Sequence, residues 1–175
     1  MTDGVILSVA LNGGDPPFGY WTAMLPDRVP RTALLLGLGA GTLAHLLVRR
    51  FPQVQITGID NNPELLAFAR RHFDLDLPNL TVLIDDAFAY VATCREQFDY
   101  VAIDLFRGHE FQRKALSRPF LRQVKALTTP EGEVAVNLFR DGRSRAHVAR
   151  LARLLHIVKV ERLIYNVIVH CEADG

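Results

Sequence analysis

The sequence has few cysteines and no long apolar run, and each shortage excludes a class of protein. Two cysteines in 175 residues, Cys94 and Cys171, are too few for a disulfide framework and have no metal-ligand spacing. The longest apolar region, residues 33–48, is shorter than a membrane span and contains three glycines. The N-terminus lacks the basic start and apolar core of a signal peptide. We therefore expect a cytoplasmic protein with no metal and no membrane partner.

The formal net charge of the chain is +1, but acidic and basic residues are unevenly distributed along the sequence. Residues 1–106 carry 7 Lys and Arg against 12 Asp and Glu, whereas residues 107–162 carry 13 against 5. Solvated helix faces are the ordinary explanation for such a surplus. The alternative is an electropositive face that attracts an acidic substrate or a nucleic acid.

From residue 33 onward, apolar runs of strand length alternate with segments of helical period. Strands are predicted at 33–37, 54–59, 80–84, 99–103 and 134–138, and helices at 42–51, 63–73, 87–95 and 117–127. This alternation predicts right-handed βαβ units and a mostly parallel sheet covered on both faces. Before it, residues 1–30 are predicted to form a short extension with a strand at 5–11, a turn and an aromatic segment, and residues 31–175 the main domain.

The C-terminal part of the chain departs from this alternation. A helix is predicted over 144–156, followed by two apolar runs at 157–160 and 164–169. Their link is too short for a parallel crossover, so the two strands form an antiparallel hairpin at a sheet edge. The predicted fold is α/β, a Rossmann-like doubly wound, mostly parallel seven-stranded sheet with a C-terminal antiparallel hairpin.

Three glycines at alternate positions, Gly37, Gly39 and Gly41, follow the first strand and precede the first helix. Glycine permits a sharp turn there and a close approach of backbone to a ligand, which the helix N-terminus also faces. The sixth position of the dinucleotide fingerprint is Thr42 rather than glycine, which disfavours an NAD-dependent oxidoreductase. The turn therefore predicts a nucleotide site of another kind.

Carboxylates follow the next three predicted strands. Asp60 lies at the position where nucleoside-binding folds hold ribose hydroxyls, although Asp60, Asn61 or Asn62 could instead cap the next helix. After the third strand, the pair Asp85 and Asp86 allows one residue to accept from an adenine amino group and the other to cap a helix. Asp104 ends the fourth strand. Since ligands bind outside the carboxyl ends of such strands, we expect these side chains to converge.

The segments 36–42, 59–65, 85–87 and 98–104 together resemble the class I S-adenosylmethionine-dependent methyltransferases, and more narrowly their spermidine synthase-like branch. The resemblance implies that S-adenosylmethionine, or its decarboxylated form, is the cofactor. It also implies a role for each site residue. The glycines would pass under the amino-acid part of the cofactor, Asp60 with its neighbour Asn61 would hold the ribose, Asp86 and Ala87 would meet the adenine, and Asp104, the catalytic candidate, would face the transferred carbon.

Two departures from the spermidine synthase pattern favour methyl transfer over aminopropyl transfer. The glycine turn contains no acid, and the segment after Asp104 is basic, whereas a polyamine needs carboxylates around it. His109 and Glu110 are further candidate proton acceptors, and Phe106 and Phe111 candidate pocket walls. We expect a small-molecule acceptor, with nucleic acid as the alternative and a homodimer through the terminal hairpin. A non-catalytic nucleoside-binding module is the competing interpretation.

Overall fold

The computed structural model describes residues 19–108 and 110–173, so the strand predicted at 5–11 and the candidate His109 lie outside the described residues. The helices are α1 (Thr42–Arg50), α2 (Pro63–His72), α3 (Ala87–Thr93), α4 (Arg118–Leu127) and α5 (Ser144–Leu151), with short 3₁₀ turns at Thr22–Met24 and Arg113–Leu116. The strands are β1 (Thr32–Leu36), β2 (Gln55–Asp60), β3 (Leu80–Ile84), β4 (Phe98–Ile103), β5 (Phe106–Arg107), β6 (Glu110–Phe111), β7 (Thr128–Phe139), β8 (His156–Arg162) and β9 (Asn166–Glu172).

Seven of these strands form one sheet in the order β3-β2-β1-β4-β7-β9-β8. The first five strands in that order run parallel to one another, while β9 runs antiparallel to both β7 and β8. Leu36 at the end of β1 is in register with Ile59 on one side and Ile103 on the other, so the carboxyl ends of these strands are level. The predicted fold class and its C-terminal hairpin are confirmed.

The core has two layers because the strand side chains alternate between the two faces of the sheet. Leu34 and Leu36 belong to one buried cluster, which α3, α4 and α5 cover, whereas Ala33 and Leu35 belong to the other, which α1 and α2 cover. The second layer also contains Trp21 from the segment before β1. These continuous apolar strands are buried on both faces, as a parallel sheet requires.

The segment around Trp21 packs against β7, β9 and α1, in the same layer of the core as α1 and α2. Met24 is buried, its carbonyl oxygen accepts a hydrogen bond from the Tyr100 hydroxyl on β4, and His170 Nε2 on β9 lies 2.7 Å from the Ala23 carbonyl oxygen. These contacts hold the neighbouring Tyr20 near the carboxyl end of β4, which matters for the site below.

Several details differ from the sequence-based expectation, among them the strand predicted at 164–169, which begins at Asn166 and extends to Glu172. A two-stranded hairpin, β5–β6, occupies the segment after Asp104, for which no regular structure was predicted. Helix α5 ends at Leu151, because the chain turns over 152–155 to begin β8 at His156. The sheet is not covered on both faces throughout, since Leu83 and Ile84 on the edge strand β3 are exposed.

Candidate active site

The carboxyl ends of β1, β2, β3 and β4 open into a cleft of about 1440 Å³. A single ligand site occupies roughly 300–1,000 Å³, so the cleft has room for two reactants side by side. The predicted site residues that line it are Gly37, Gly39, Asp60, Asn61, Asp86, Ala87 and Asp104. The structure thus brings the predicted candidates together at this edge of the sheet, with the exception of Gly41.

The glycine turn has left-handed backbone at Gly37, Gly39 and Gly41, with φ of 90°, 57° and 90°. A Cβ atom at Gly37 would lie 2.2 Å from the Asp104 carbonyl oxygen, so only glycine fits between β1 and β4 there. A Cβ at Gly41 would instead lie 2.2 Å from the Leu75 side chain, away from the cleft lining. Gly41 therefore serves the start of α1 and its packing, while Gly37 and Gly39 lie against the cleft.

The Asp60 carboxylate ties the glycine turn to the end of β2. Its Oδ2 accepts a hydrogen bond of 2.8 Å from the Gly39 amide, and its Oδ1 accepts one of 3.0 Å from the Asn62 amide. The helix cap that the sequence also allowed for Asp60 is supplied by Asn62, whose side chain accepts from the Leu65 amide. A carboxylate accepts about four hydrogen bonds, so Asp60 has acceptor capacity left for a ligand in the cleft.

Asp86 is the N-cap of α3. Its Oδ1 accepts hydrogen bonds from the amides of Phe88 and Ala89, at 2.9 and 3.0 Å, while Asp85 Oδ1 accepts from the Asp86 amide at 2.7 Å. Both aspartates are exposed and line the cleft. Both capping bonds of Asp86 use the same oxygen, so capping and ligand binding are compatible in one side chain.

Asp104 lies at the centre of a hydrogen-bonded network that crosses three strands. The Tyr20 hydroxyl donates to its Oδ2 at 2.6 Å, and the Asn137 amide on β7 donates to its Oδ1 at 2.8 Å. Asn166 on β9 donates in turn to the Asn137 side-chain oxygen at 2.9 Å. Donors on both carboxylate oxygens hold the carboxylate of Asp104 in one orientation within the cleft.

Burial raises the pKa of Asp104 to about 6, and the neighbouring Asp60 acts in the same direction, while the hydrogen bonds from Tyr20 and Asn137 oppose the rise. Burial also raises the pKa of the Tyr20 hydroxyl well above 10, so that it remains a donor. Asp104 is thus mainly ionised at neutral pH, and its pKa lies close to neutrality. That is the property of a general base.

Sequence reasoning missed Tyr20, Asn137 and Asn166 as site residues. Tyr20 lies in an aromatic segment for which the sequence allowed either packing or a flap over a pocket, and in the structure it lines the cleft beside the buried Trp21. Asn137 carried a usable signal, because it is a polar residue that interrupts the apolar run 134–138, and it is buried. Asn166 had none, since its role depends on the antiparallel pairing of β9 with β7.

The far side of the cleft is an acceptor wall, which we define as hairpin β5–β6, residues 139–140 at the end of β7, and residues 162–166 between β8 and β9. Phe106 and Phe111 stack edge to face in that hairpin, with ring centroids 5.6 Å apart. Phe106 lines the cleft and Phe111 does not, and the candidate Glu110 is exposed outside the lining.

Within residues 19–108 and 110–173, no cluster of three or more metal-ligating side chains occurs. In the same ranges, no helix is long and apolar enough to cross a membrane.

The sheet order, the glycine turn and the converging carboxylates define a Rossmann-like nucleoside-binding fold of the methyltransferase type. Residues 33–132 match the family model described as a methyltransferase domain. This match covers more than half of the 175 residues, and the chain belongs to that family.

Individual relatives come from both branches that the sequence resembles. A polyamine aminopropyltransferase of Neisseria meningitidis is 25% identical over 131 residues, which is 73% of this chain and 50% of that protein. An eEF1A lysine and N-terminal methyltransferase homolog of Drosophila pseudoobscura pseudoobscura is 30% identical over 161 residues, 83% of this chain and 24% of that protein. The chain thus spans half the length, or less, of these curated relatives.

Among solved structures, human methyltransferase-like protein 13 in complex with SAH is similar to this chain, with a TM-score of 0.69 and 26% identity over 82% of this chain and 72% of that one. The similarity confirms the fold and the resemblance to the class I superfamily.

Proposed function

We propose that this chain is an S-adenosylmethionine-dependent transferase that moves a methyl group to a nucleophilic acceptor. The observation that carries the proposal is the Asp104 carboxylate, held at the end of β4 by Tyr20 and Asn137 and open to the cleft. Membership of the methyltransferase domain family supports the same assignment.

We call the side of the cleft formed by the ends of β1, β2 and β3 its nucleoside half, and the residues present there fit this cofactor. Asp60 has acceptor capacity for ribose hydroxyls beside Gly39 and Asn61, while Asp86 and Ala87, which line the cleft after β3, are the proposed contacts of the adenine. Gly37 and Gly39 line the cleft next to Asp104 and are the proposed contacts of the amino-acid part. When bound, the sulfonium cofactor supplies an electrophilic carbon, so no protein nucleophile is needed.

The chain's own residues orient the acceptor and manage its proton. An amine or hydroxyl acceptor must lose a proton on alkylation, and Asp104 is the proposed base that takes it. Tyr20 and Asn137 are the proposed positioning residues, because their hydrogen bonds hold the Asp104 carboxylate. Holding two reactants in line supplies most of the remaining rate enhancement.

Aminopropyl transfer from decarboxylated S-adenosylmethionine is the second candidate, because relatives named polyamine aminopropyltransferase share the fold and sequence. The basic acceptor wall disfavours a polyamine acceptor. The homodimer and the cytoplasmic location stay predictions, and the sequence-based expectation of a small-molecule acceptor is weighed against a polypeptide below.

Isothermal titration with S-adenosylhomocysteine and with methylthioadenosine tests the cofactor. We expect tighter binding of the ligand that bears the carboxylate, and about tenfold or greater weakening in the variant Asp60→Ala, because a half-buried charged acceptor is lost. Preference for methylthioadenosine would move the assignment to aminopropyl transfer. The proposal is contradicted if neither ligand gives heat on titration and neither S-adenosylmethionine nor its decarboxylated form does.

Transfer itself is measured as labelled methyl groups incorporated from S-adenosylmethionine into fractions of a cell extract. Asp104→Asn is expected to lower incorporation at least about 100-fold, in line with the loss of a general base, while ligand affinity is kept. Tyr20→Phe, the matched control, should lower it less and shift its pH profile. Unchanged incorporation in Asp104→Asn would show that Asp104 is not the base, whereas no incorporation by wild type above the extract alone would support the non-catalytic module.

A further inference from the structure

The charges that line the cleft are segregated by sign between its two sides. The lining acids Asp60, Glu64, Asp85 and Asp86 follow β2 and β3, and Asp104 lies at the centre. The lining arginines are Arg107 on the hairpin, Arg140 after β7 and Arg162 at the end of β8, all on the acceptor wall. All three arginines are exposed. The basic surplus of residues 107–162 is therefore focused in part on the side of the cleft where an acceptor would enter.

Two of these arginines are available to a ligand. Arg107 and Arg162 form no ion pair with any residue in the described ranges 19–108 and 110–173, although Glu110 lies opposite Arg107 in the hairpin register. Arg140 is already engaged within the protein, because its guanidinium donates a hydrogen bond of 2.8 Å to the Leu163 carbonyl oxygen. Guanidinium groups without a partner at the mouth of a cleft are suited to bind carboxylates.

The exposed part of the acceptor wall carries an apolar patch. Ile164, Tyr165 and Phe139 are 79%, 69% and 40% exposed. They are neighbours, since Phe139 pairs in register with Asn166 and the Arg140 amide donates to the Tyr165 carbonyl oxygen. Exposed apolar side chains grouped around arginines are typical of protein interaction sites, where Tyr, Phe and Arg are enriched.

We propose that the acceptor is an acidic segment of a polypeptide, whose carboxylates pair with Arg107 and Arg162 and whose apolar side chains pack on Phe139, Ile164 and Tyr165. This inference rests on the proposed transferase function and names its substrate class. A small anion would use the arginines but leave the outer apolar patch uncovered. A nucleic acid is disfavoured because the wall offers three cations where duplex binders use 6–10 phosphate contacts, and because the opposite side of the cleft is acidic.

Fluorescence anisotropy with a labelled copolymer of glutamate and tyrosine tests the proposal. We expect saturable binding that weakens with salt, and at least roughly tenfold weaker binding by Arg107→Glu/Arg162→Glu, because like charges then face each other. The matched control is Arg118→Glu/Arg122→Glu, which makes the same charge change on exposed positions of α4 outside the cleft lining. It should bind the copolymer within about twofold of wild type, because distant exposed charges are screened by salt. Equal weakening of copolymer binding in both double variants would mean that only the overall positive charge of residues 107–162 attracts the copolymer. That result would overturn the proposal.

The apolar patch is tested separately by Tyr165→Ser, which is expected to weaken copolymer binding several-fold while leaving its salt dependence unchanged. An unchanged affinity would contradict the docking role of the patch. Arginine-dependent binding of oligothymidylate tighter than that of the copolymer would identify a nucleic acid instead. Full displacement of the copolymer by millimolar succinate would identify a small anion, and a dimer that the charge reversal dissociates would identify a second copy.

The cofactor titration separates failure of this inference from failure of the proposed function. Wild type and both double variants should bind S-adenosylhomocysteine equally, because the arginines lie across the cleft from the nucleoside half. If the charge reversal weakened S-adenosylhomocysteine but not methylthioadenosine, the arginines would be holding the cofactor carboxylate, and the acceptor assignment would fall while the transferase assignment stood.

Discussion

The two sides of the cleft are encoded in different ways. The nucleoside half comes from one continuous stretch, 32–87, in which each strand is followed at once by its glycine or carboxylate. The acceptor wall is assembled from segments around residues 106, 139 and 164, and the network on Asp104 joins Tyr20 to Asn137 and Asn166. A local pattern is therefore sufficient to specify the cofactor side, whereas the acceptor side depends on how distant strands pair.

The largest expected effect is on the free energy of unfolding, and it tests whether the glycine turn after β1 requires glycine at position 37. Gly37→Ala is expected to lower the free energy of unfolding by about 4 kcal/mol, combining left-handed strain with a backbone clash. The clash is rigid, because the atom met at 2.2 Å is the Asp104 carbonyl oxygen rather than a side chain. Urea denaturation followed by circular dichroism measures the difference.

Gly108→Ala is the matched control from the acceptor wall. Gly108 also has a positive φ, 58°, but a Cβ there would meet nothing within 4 Å. Only the conformational strain remains, so the loss should be about 1 kcal/mol. Equal losses at the two glycines would show that the close approach of β1 to β4 is not what requires glycine at position 37.

Local periodicity was sufficient to predict the sheet. The strand at 80–84 agrees with the structure at both ends, and the predicted helix at 63–73 ends one residue beyond α2. The terminal hairpin followed from the short link between two apolar runs. The β5–β6 hairpin could not be predicted, because its two-residue strands are too short to show any period and one of its ring contacts, Phe111 with His147, comes from distant sequence.

The candidate site was predictable where one residue type at one strand end decides the geometry. The predicted positions Gly37, Asp60 and Asp104 line the same cleft. Tyr20 and Asn166 could not be placed, because the sequence does not reveal which side chain from a distant segment reaches β4. Their contribution appears only in tertiary structure, as hydrogen bonds over 84 residues for Tyr20 and 29 residues for Asn166.

The second prediction concerns the junction between the two halves, at Asp104. Its pKa is about 6 in the folded protein against an ordinary value of 3.8, so between these values the folded state binds more protons than the unfolded state. The Asp104 contribution to the free energy of unfolding is therefore greatest below about pH 4 and is lost as pH rises through about 6, a change of about 3 kcal/mol.

Asp104→Asn removes this titration, and comparison of the two proteins by urea denaturation across that pH range isolates it. The variant should gain stability relative to wild type as the pH is raised, because the amide carries no charge to bury. A constant difference between the two proteins would mean that the carboxyl titrates at its ordinary pKa. Asp104 would then lose its special suitability as a base near neutral pH.

The smallest expected effect separates the two roles of Asp86 on the nucleoside side. Asp86→Ala removes the cap of α3, with its bonds to Phe88 and Ala89, and should cost about 1 kcal/mol of unfolding free energy. Asp86→Asn keeps a capping oxygen and should cost little, because asparagine and aspartate cap equally well. If the aspartate also accepts from the adenine amino group, the asparagine variant should still bind S-adenosylhomocysteine more weakly than wild type, since a bond to a charged acceptor contributes more. Wild-type affinity in a stable Asp86→Asn protein would reduce Asp86 to a cap, and the adenine would then depend on Asp85 and the backbone at Ala87.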